Sequence, residues 1–341
     1  MAPEATPFRW GVVGPGSIAH RFADALAFVP GACVQRVYGR NADRASAFAQ
    51  RYRATTSATS AELLSDPKVD AVYIATPHAQ HGEFVRAALL AGKPVLCEKP
   101  LVPTHAEAKA LVQLARERGV FLMEALWTRF LPAYELAGAW LRDGLIGELR
   151  SLSSSFCFST PFDPASRLWD PALAGGALLD LGIYNLAVTR WALQQTHGGV
   201  CPELNGMEVH AAIAPSGVDA SVEATLHFSG GITSRLRCGF DASSGNAFEV
   251  LGTQGCLRFP YNFWQAESVE LIRAWQTPEL TAAPFAGNGF EGEITEAQTC
   301  IRAGRIESLR MPHAESLALV EWMDAMRRKI GVRYPFEPRH P

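Results

Sequence analysis

The first feature of the sequence that could do chemistry is a glycine pair near its start. Gly14-Pro-Gly16-Ser17-Ile18-Ala19 fits the G-x-G-x-x-G/A pattern of dinucleotide-binding turns. The first glycine of this pattern makes a tight turn, the second lets the backbone approach a pyrophosphate, and the small last residue lets the helix pack closely. A short apolar run precedes the pattern and helical spacing follows it, which is the context that the pattern needs. We predict a dinucleotide-phosphate site, with a plain turn as the alternative.

The end of the second apolar run selects between the two nicotinamide cofactors. An acidic residue there would bind the ribose hydroxyls of NAD and repel a 2′-phosphate. This chain has Arg40-Asn41 instead, with Arg44 one helical turn on. Because a guanidinium binds phosphate bidentately, the pattern favours NADP, with NAD as the less favoured cofactor. The alternative is that both arginines are solvated and that Asn41 and Asp43 serve only the start of a helix.

A histidine-containing segment follows the third apolar run. Thr76-Pro77-His78 comes directly after it, and His81 lies three residues beyond. Loops at the carboxyl ends of parallel strands line the cofactor crevice, so we expect these residues to border the nicotinamide. The two histidines alone could suggest zinc, but no nearby cysteine or carboxylate completes a ligand set. We therefore predict no metal.

Alternating strands and helices position these residues. Apolar runs at 8–14, 33–38, 69–75, 93–98 and 121–123 read as strands, and helical spacing occupies 17–28, 42–52, 82–91 and 106–118. Uninterrupted β–α alternation is typical of a doubly wound parallel sheet. We predict a Rossmann domain over residues 1–127.

The pattern changes after Trp127. Residues 151–160, 218–228, 232–240, 247–251 and 256–259 read as strands separated by glycine turns, and 313–329 as a final amphipathic helix. We predict an α+β domain with an open, mostly antiparallel sheet over residues 128–341, for substrate binding and oligomerisation. Such a sheet needs a cover on its outer face.

Several motifs resemble those of one known family. Cys97-Glu98-Lys99-Pro100 resembles the Glu-Lys-Pro signature of the glucose-fructose oxidoreductase, inositol dehydrogenase and MocA-like family. The stretches 121–130, 175–184 and 331–335 resemble its branch of dimeric dihydrodiol dehydrogenases and D-xylose NADP dehydrogenases. The chain departs from the family at His78, where Asn is usual, and from the branch around Glu293 and Glu296, which puts the identity of the substrate in doubt.

The resemblance implies an NADP-dependent oxidoreductase that acts on a sugar, polyol or trans-dihydrodiol. It assigns Tyr184 as the acid/base, Lys99 as the cation that favours the charged phenol and binds substrate oxygen, and Asp180 as an orienting or substrate-binding group. Helical spacing over residues 177–193 predicts that Asp180 and Tyr184 share one face, which should meet Lys99. Without the resemblance, a surface lysine and a core tyrosine would be the favoured interpretation.

The remaining site residues follow from the same resemblance. Glu98 and Lys99 are expected beside the cofactor, and Trp127, Arg129, Phe156 and Tyr184 beside the substrate. Aromatic rings suit a cyclohexadiene diol or the face of a sugar, although these side chains could equally belong to the core.

Bulk properties exclude other classes of protein. The chain has 341 residues, a net charge of -3 and 48% hydrophobic residues, so it has neither the basic field of a nucleic-acid binder nor the composition of a disordered chain. The leader MAPEATPF does not resemble a signal peptide, and we find no apolar run that would span a bilayer. Scattered cysteines indicate a reducing compartment. We expect a cytoplasmic protein, and the resemblance implies that a second subunit covers the sheet in a homodimer or homotetramer. A catalytically silent NADP-binding sensor and a structural oligomer are the alternatives.

Overall fold

The computed structural model describes residues 7–337 and divides them into two compact units. The described residues up to Trp127, together with Ala286–Val320, form the first unit. Thr128–Phe285 and the described residues from Glu321 onward form the second.

The strands belong to two sheets. In chain order they are β1 Phe8–Val13, β2 Ala32–Tyr38, β3 Thr55–Thr56, β4 Ala71–Ile74, β5 Val95–Glu98, β6 Leu122–Ala125, β7 Leu149–Cys157, β8 Leu204–Ile213, β9 Asp219–Phe228, β10 Thr233–Gly239, β11 Phe248–Gly252, β12 Gly255–Phe259, β13 Ser268–Arg273 and β14 Glu279–Ala282.

The α-helices follow the same order along the chain. They are α1 Ser17–Ala25, α2 Ala42–Tyr52, α3 Ser60–Ser65, α4 His81–Leu90, α5 His105–Arg118, α6 Pro132–Arg142, α7 Ile183–Thr196, α8 Glu291–Arg302 and α9 His313–Ile330.

The first unit is a doubly wound parallel sheet. Its strand order is β3-β2-β1-β4-β5-β6, and every neighbouring pair is parallel. The order reverses between β1 and β4, the switch point at which sheets of this kind bind nucleotides. The strands β4, β5 and β6 are buried along their whole length, as expected for strands covered on both faces.

The segment 286–320 returns to the first unit, which the predicted division at residue 127 does not include. The backbone N–H of Leu122 on β6 donates to the carbonyl of Ile306 over 3.0 Å, and the ring of His313 contacts the carbonyl of Leu122 at 3.0 Å. Arg302 lies over the ring of Phe8 at 5.5 Å. An apolar helix pattern gives no sign of which sheet the helix will join, so the sequence could not predict this return.

The second unit is built on a mostly antiparallel sheet. Its order is β14-β13-β12-β11-β7-β10-β9-β8, and β7 and β10 form its parallel pair. The predicted fold class is therefore confirmed for both sheets. The strands β3, β8, β13 and β14 were not predicted. Three of them, the edge strands β3, β8 and β14, contain no buried residue. The helices α3, α6 and α8 were likewise not predicted.

The helix α7 packs against the second sheet. Buried side-chain hydrogen bonds join Asn185 to Ser154 on β7 at 2.9 Å and Thr189 to Ser234 on β10 at 2.8 Å. The stretch Pro171–Thr196 is long and apolar enough to cross a membrane, a length that sequence analysis did not find, but 89% of its apolar window is buried in the protein. It is therefore a core segment of the second unit.

Candidate active site

The glycine turn after β1 has the geometry of a phosphate-binding loop. Gly14 has a φ of +90°, and a Cβ there would lie 2.8 Å from the carbonyl oxygen of Ala75. At Gly16 a Cβ would meet no protein atom within 4 Å, and Gly16 is the N-cap of α1 with no side-chain hydrogen bond capping the helix. The turn therefore fits a dinucleotide pyrophosphate, because it offers free helix N–H donors beside open space.

The next three residues of the motif divide between solvent and core. Ser17 is exposed at the first position of α1, Ile18 is half-buried, and Ala19 is fully buried. A buried small residue lets the helix approach the sheet.

Two exposed guanidinium groups lie beyond the carboxyl end of β2. Arg40 and Arg44 are exposed, and within residues 7–337 neither side chain has an ion pair. The side chain of Asn41 accepts a hydrogen bond from the backbone N–H of Arg44 at 2.9 Å and so caps α2. Asn41 thus has the helix-capping role that the sequence left open, and both arginine side chains are available to a phosphate.

The loop after β4 is held by His81. Its Nε2 lies 2.8 Å from the carbonyl of Thr76 and its Nδ1 lies 2.8 Å from the carbonyl of Pro100. His81 is fully buried, and burial lowers the pKa of its ring. His81 therefore joins the loops that follow β4 and β5, and its contact with the cofactor stays a prediction.

The start of this loop lies beside the glycine turn. The backbone N of Thr76 would lie 2.9 Å from a Cβ at Gly14. Pro77 is half-buried, and the buried His78 begins a short 3₁₀ turn with its ring centroid 5.8 Å from that of His81. The loop and the glycine turn are thus adjacent at the switch point of the sheet.

Glu98 and Lys99 follow directly at the end of β5. The hydroxyl of Tyr73 donates to Oε1 of Glu98 at 2.5 Å, and the backbone N–H of Lys99 donates to Oε2 at 3.2 Å. Glu98 is buried and Lys99 is half-buried. The Lys99–Pro100 peptide bond is cis, and the next N–H, of Leu101, donates to Glu124 on β6 at 2.8 Å. Buried carboxylates thus hold the backbone on both sides of Lys99.

Glu293, which the sequence indicated only as a departure from the family branch, lies near Glu98. Glu293 on α8 is fully buried, and neither carboxylate oxygen has a hydrogen-bond partner within residues 7–337. Burial, followed by the nearby charge of Glu98, raises the pKa of Glu293 well above its usual range, while Arg21 opposes the shift. A single carboxylate in an apolar helix pattern gives no sign of such a location.

Trp127 is a core residue of the first unit. It is 3% exposed, and its ring stacks on Phe290 with a centroid distance of 5.0 Å. The guanidinium of Arg21 lies over both rings, at 5.0 Å and 4.9 Å. This packing agrees with the core alternative for Trp127.

Asp180 and Tyr184 lie on either side of a change in helix type. Leu178–Gly182 is a π-helical turn, and α7 begins at Ile183, so the predicted continuous α-helix over 177–193 is wrong at its start. Both carboxylate oxygens of Asp180 lie 3.4 Å from the guanidinium of Arg167. Short π segments are frequent at functional sites.

An aromatic cluster surrounds Tyr184 in the second unit. The ring of Phe156 lies 5.6 Å from Tyr184 and stacks on Trp264 at 3.5 Å. Trp264 is half-exposed and was not among the predicted site residues. The preceding Asn262 adopts a left-handed conformation at a tight turn. Asparagine is frequent in such turns, so this residue type was the sequence signal next to Trp264. The cluster offers a flat apolar surface beside a phenol.

Arg129 lies elsewhere in the second unit. Its guanidinium donates to Gln194 near the end of α7 over 2.7 Å. That position is roughly 15 Å along the helix from Tyr184, at about 1.5 Å of rise per residue. The contact favours a structural role for Arg129 over the predicted contact with substrate.

The described residues hold no group of three or more His, Cys, Asp or Glu side chains that could bind a metal ion.

Comparisons with known proteins cover nearly the whole chain. Residues 8–126 match an oxidoreductase family with an NAD-binding Rossmann fold, and residues 134–258 match the GFO/IDH/MocA C-terminal domain. The trans-1,2-dihydrobenzene-1,2-diol dehydrogenase of Mus musculus is 36% identical, with 97% of this chain and 99% of the relative covered. Its Homo sapiens counterpart is 35% identical over 97% and 99% of the two chains.

A solved relative has the same fold. It is a tyrosine-to-phenylalanine variant of a 3-ketoreductase from Actinomadura kijaniata, in complex with TDP-benzene and NADP. The two chains are 30% identical with a TM-score of 0.83, over 95% of this chain and 98% of that one.

Proposed function

The chain belongs to the GFO/IDH/MocA family of oxidoreductases, as its motifs predicted, and we propose that it transfers a hydride between NADP and a CH–OH or C=O group of a sugar, polyol or trans-dihydrodiol. The relatives support this substrate class by their names, since one is a dihydrodiol dehydrogenase and another a 3-ketoreductase. A cytoplasmic location stays a prediction from the sequence.

The glycine turn is the observation that carries the cofactor assignment. At Gly16, open space adjoins the uncapped N-terminus of α1, so backbone N–H groups can bind a pyrophosphate. Arg40 and Arg44 lie beyond the next strand, where the 2′-phosphate of NADP would be recognised. The 3-ketoreductase in complex with NADP supports the same choice.

The chemical step needs a proton acceptor and a cation. NADP supplies the site that accepts or donates the hydride when it is bound. Tyr184 takes the hydroxyl proton during oxidation and returns it during reduction, and Lys99 stabilises the developing oxyanion. Asp180, paired with Arg167, orients the substrate or the Tyr184 hydroxyl. The Phe156 ring beside Tyr184 provides an apolar surface for the ring of the substrate.

The test is turnover with NADP+ and NAD+, followed at 340 nm against pentoses, hexoses, inositols and trans-dihydrodiols. Lys99→Ala and Tyr184→Phe should lose most of kcat, by about a hundred-fold or more, while both still bind NADP. Lys68→Ala and Tyr261→Phe, at exposed positions, are the matched controls. NADP binding without turnover on any substrate in either direction would instead identify a sensor, and absence of binding to both NADP and NAD would leave only a structural oligomer.

The second unit also supplies a surface for self-association. Strand alternation places Ser153, Arg235 and Glu249 on the face of the sheet opposite α7. Arg235 is exposed and has no carboxylate partner within residues 7–337, whereas Glu249 pairs with Arg258 at 3.2 Å. The exposed charge of Arg235 on this face supports the proposal of a homodimer or homotetramer, because a second copy that places carboxylates opposite Arg235 would pair that charge.

A further inference from the structure

The turn that precedes Asp180 and Tyr184 has a conformation that only glycine tolerates. Gly176 has a φ of +117°, and its backbone N–H donates to the carbonyl of Leu168 at 2.9 Å. The carbonyl of Gly176 in turn accepts from the N–H of Asp180 at 3.3 Å. The turn formed by residues 175–178 therefore sets where the π-helical turn begins.

Asp219 fits against this turn from the start of β9. It is fully buried, and its Oδ2 accepts the backbone N–H of Leu178 at 2.6 Å. A Cβ at Gly176 would lie 2.4 Å from Oδ1 of the same carboxylate. A side chain at position 176 is therefore excluded by the carboxylate as well as by the backbone conformation.

Tyr334 binds the other end of the turn. Its hydroxyl donates to the carbonyl of Gly175 at 2.8 Å, and its ring is buried. The guanidinium of Arg327 lies over that ring at 4.7 Å and pairs with Asp324 at 2.5 Å and Glu337 at 2.6 Å. The C-terminal motif 331–335, which the proposed chemistry does not use, thus contributes a contact to this turn.

We infer that Asp219 and Tyr334 are positioning residues, which fix the 175–178 turn and thereby place the Asp180 carboxylate and the Tyr184 hydroxyl for proton transfer. This inference rests on the proposed function, because it assigns how the acid/base is oriented. Both side chains are buried, so we expect neither to touch the substrate. Their effect on the reaction passes through the backbone between Gly175 and Tyr184.

The surroundings of Asp219 add a dependence on pH. Burial raises its pKa to about 7, while the backbone N–H groups of Leu178, Asp219 and Ala177 and the charge of Arg327 oppose the shift. The other titratable groups beside it are Cys238 of β10 and Tyr334, with Asp324 and Glu337 around the latter. As the pH falls through about 7 the carboxylate gains a proton and becomes a neutral acceptor, so its hydrogen bond from the Leu178 N–H weakens and kcat should fall a few-fold.

The experiment compares Asp219→Ala, Asp219→Asn and Tyr334→Phe with the wild type. Asp219→Ala removes the acceptor and should lower kcat about ten-fold or more, with the KM for NADP unchanged. Asp219→Asn keeps a neutral oxygen that can accept from Leu178, so it should restore kcat to the level of the wild type below pH 7 and remove the change near pH 7. Tyr334→Phe should lower kcat a few-fold. Asp241→Asn and Tyr261→Phe, both at exposed positions, are the controls.

Hydrogen exchange of the backbone amides of residues 176–180 measures how firmly the turn is held, and it does not depend on turnover. Exchange should be faster in Asp219→Ala and Tyr334→Phe than in the wild type and the controls. A folded Asp219→Ala variant with wild-type kcat and wild-type exchange would overturn the inference, as would a loss of kcat that Asp219→Asn does not rescue. If the wild type turns over no substrate, the proposed function fails, and the exchange rates alone decide whether Asp219 and Tyr334 hold the turn.

Discussion

Tyr73 donates its hydroxyl hydrogen bond to Oε1 of Glu98 over 2.5 Å, across the neighbouring strands β4 and β5. The ring of Tyr73 stacks on Phe22 of α1 with centroids 3.8 Å apart. Burial, then the charges of Glu98 and Glu293, raise the pKa of Tyr73 well above its usual range, so this phenol remains a donor. The contact orients the carboxylate whose other oxygen accepts from the backbone of Lys99.

Tyr73→Phe should therefore destabilise the protein without disturbing its packing. Phenylalanine keeps the ring on Phe22, and the lost hydrogen bond to a buried carboxylate should cost about 1 to 3 kcal/mol. Urea denaturation measures the change, with Tyr261→Phe, whose ring is 67% exposed, as the control. An unfolding free energy equal to that of the control would show that the Tyr73 hydroxyl contributes nothing here.

The two glycines of the motif should respond differently to alanine. Gly14→Ala forces a side chain into a left-handed conformation against Ala75, so it should lower the unfolding free energy by about 2 kcal/mol or more. Gly16→Ala meets no protein atom, so stability should change little while NADP binds at least about ten-fold more weakly. Thermal unfolding and NADP titration separate the two effects. Equal losses of stability in the two variants would contradict the finding that a Cβ is excluded at Gly14 but not at Gly16.

Arg40→Ala should change the choice of cofactor. Loss of a charge-assisted contact to the 2′-phosphate should raise the KM for NADP about ten-fold or more and leave the KM for NAD unchanged. Steady-state kinetics with both cofactors measure this, and Arg328→Ala, at an exposed position on α9, is the control. If the KM values for NADP and NAD rise together, Arg40 does not bind the 2′-phosphate of NADP.

The cofactor could be predicted from the sequence because the pattern that indicates it is local. The pattern from Gly14 to Ala19 specifies a turn whose role depends on backbone conformation, and parallel strands bring the segments after β4 and β5 to one edge. Glu293 was not selected as a site residue, because its proximity to Glu98 depends on a return of the chain from residue 286. Likewise, the π-helical turn before Tyr184 depends on Asp219, a contact that helical periodicity cannot reveal.

Glu293→Gln should stabilise the protein increasingly as the pH rises. The unfolded chain ionises Glu293 near its ordinary pKa of 4.5, whereas the folded chain keeps it protonated to a higher pH. Above that ordinary value the wild type therefore loses up to about 1.4 kcal/mol per pH unit relative to the variant, until the folded group ionises. Urea denaturation between about pH 5 and pH 8 tests this, with the exposed Glu83→Gln as control. If the difference in unfolding free energy between variant and wild type does not grow with pH, Glu293 is not held protonated in the folded protein.

Arg235→Glu tests the surface of the second sheet. If two copies meet through this face, charge reversal at its centre places like charges together, which costs several kcal/mol. We expect analytical ultracentrifugation to show an oligomer for the wild type and for Arg328→Glu, and monomer for Arg235→Glu, with unchanged circular dichroism. The substitution lies on a strand whose opposite face packs under α7, so the fold should tolerate it. A wild type that sediments as a monomer, or a variant that remains oligomeric, would rule out association centred on Arg235.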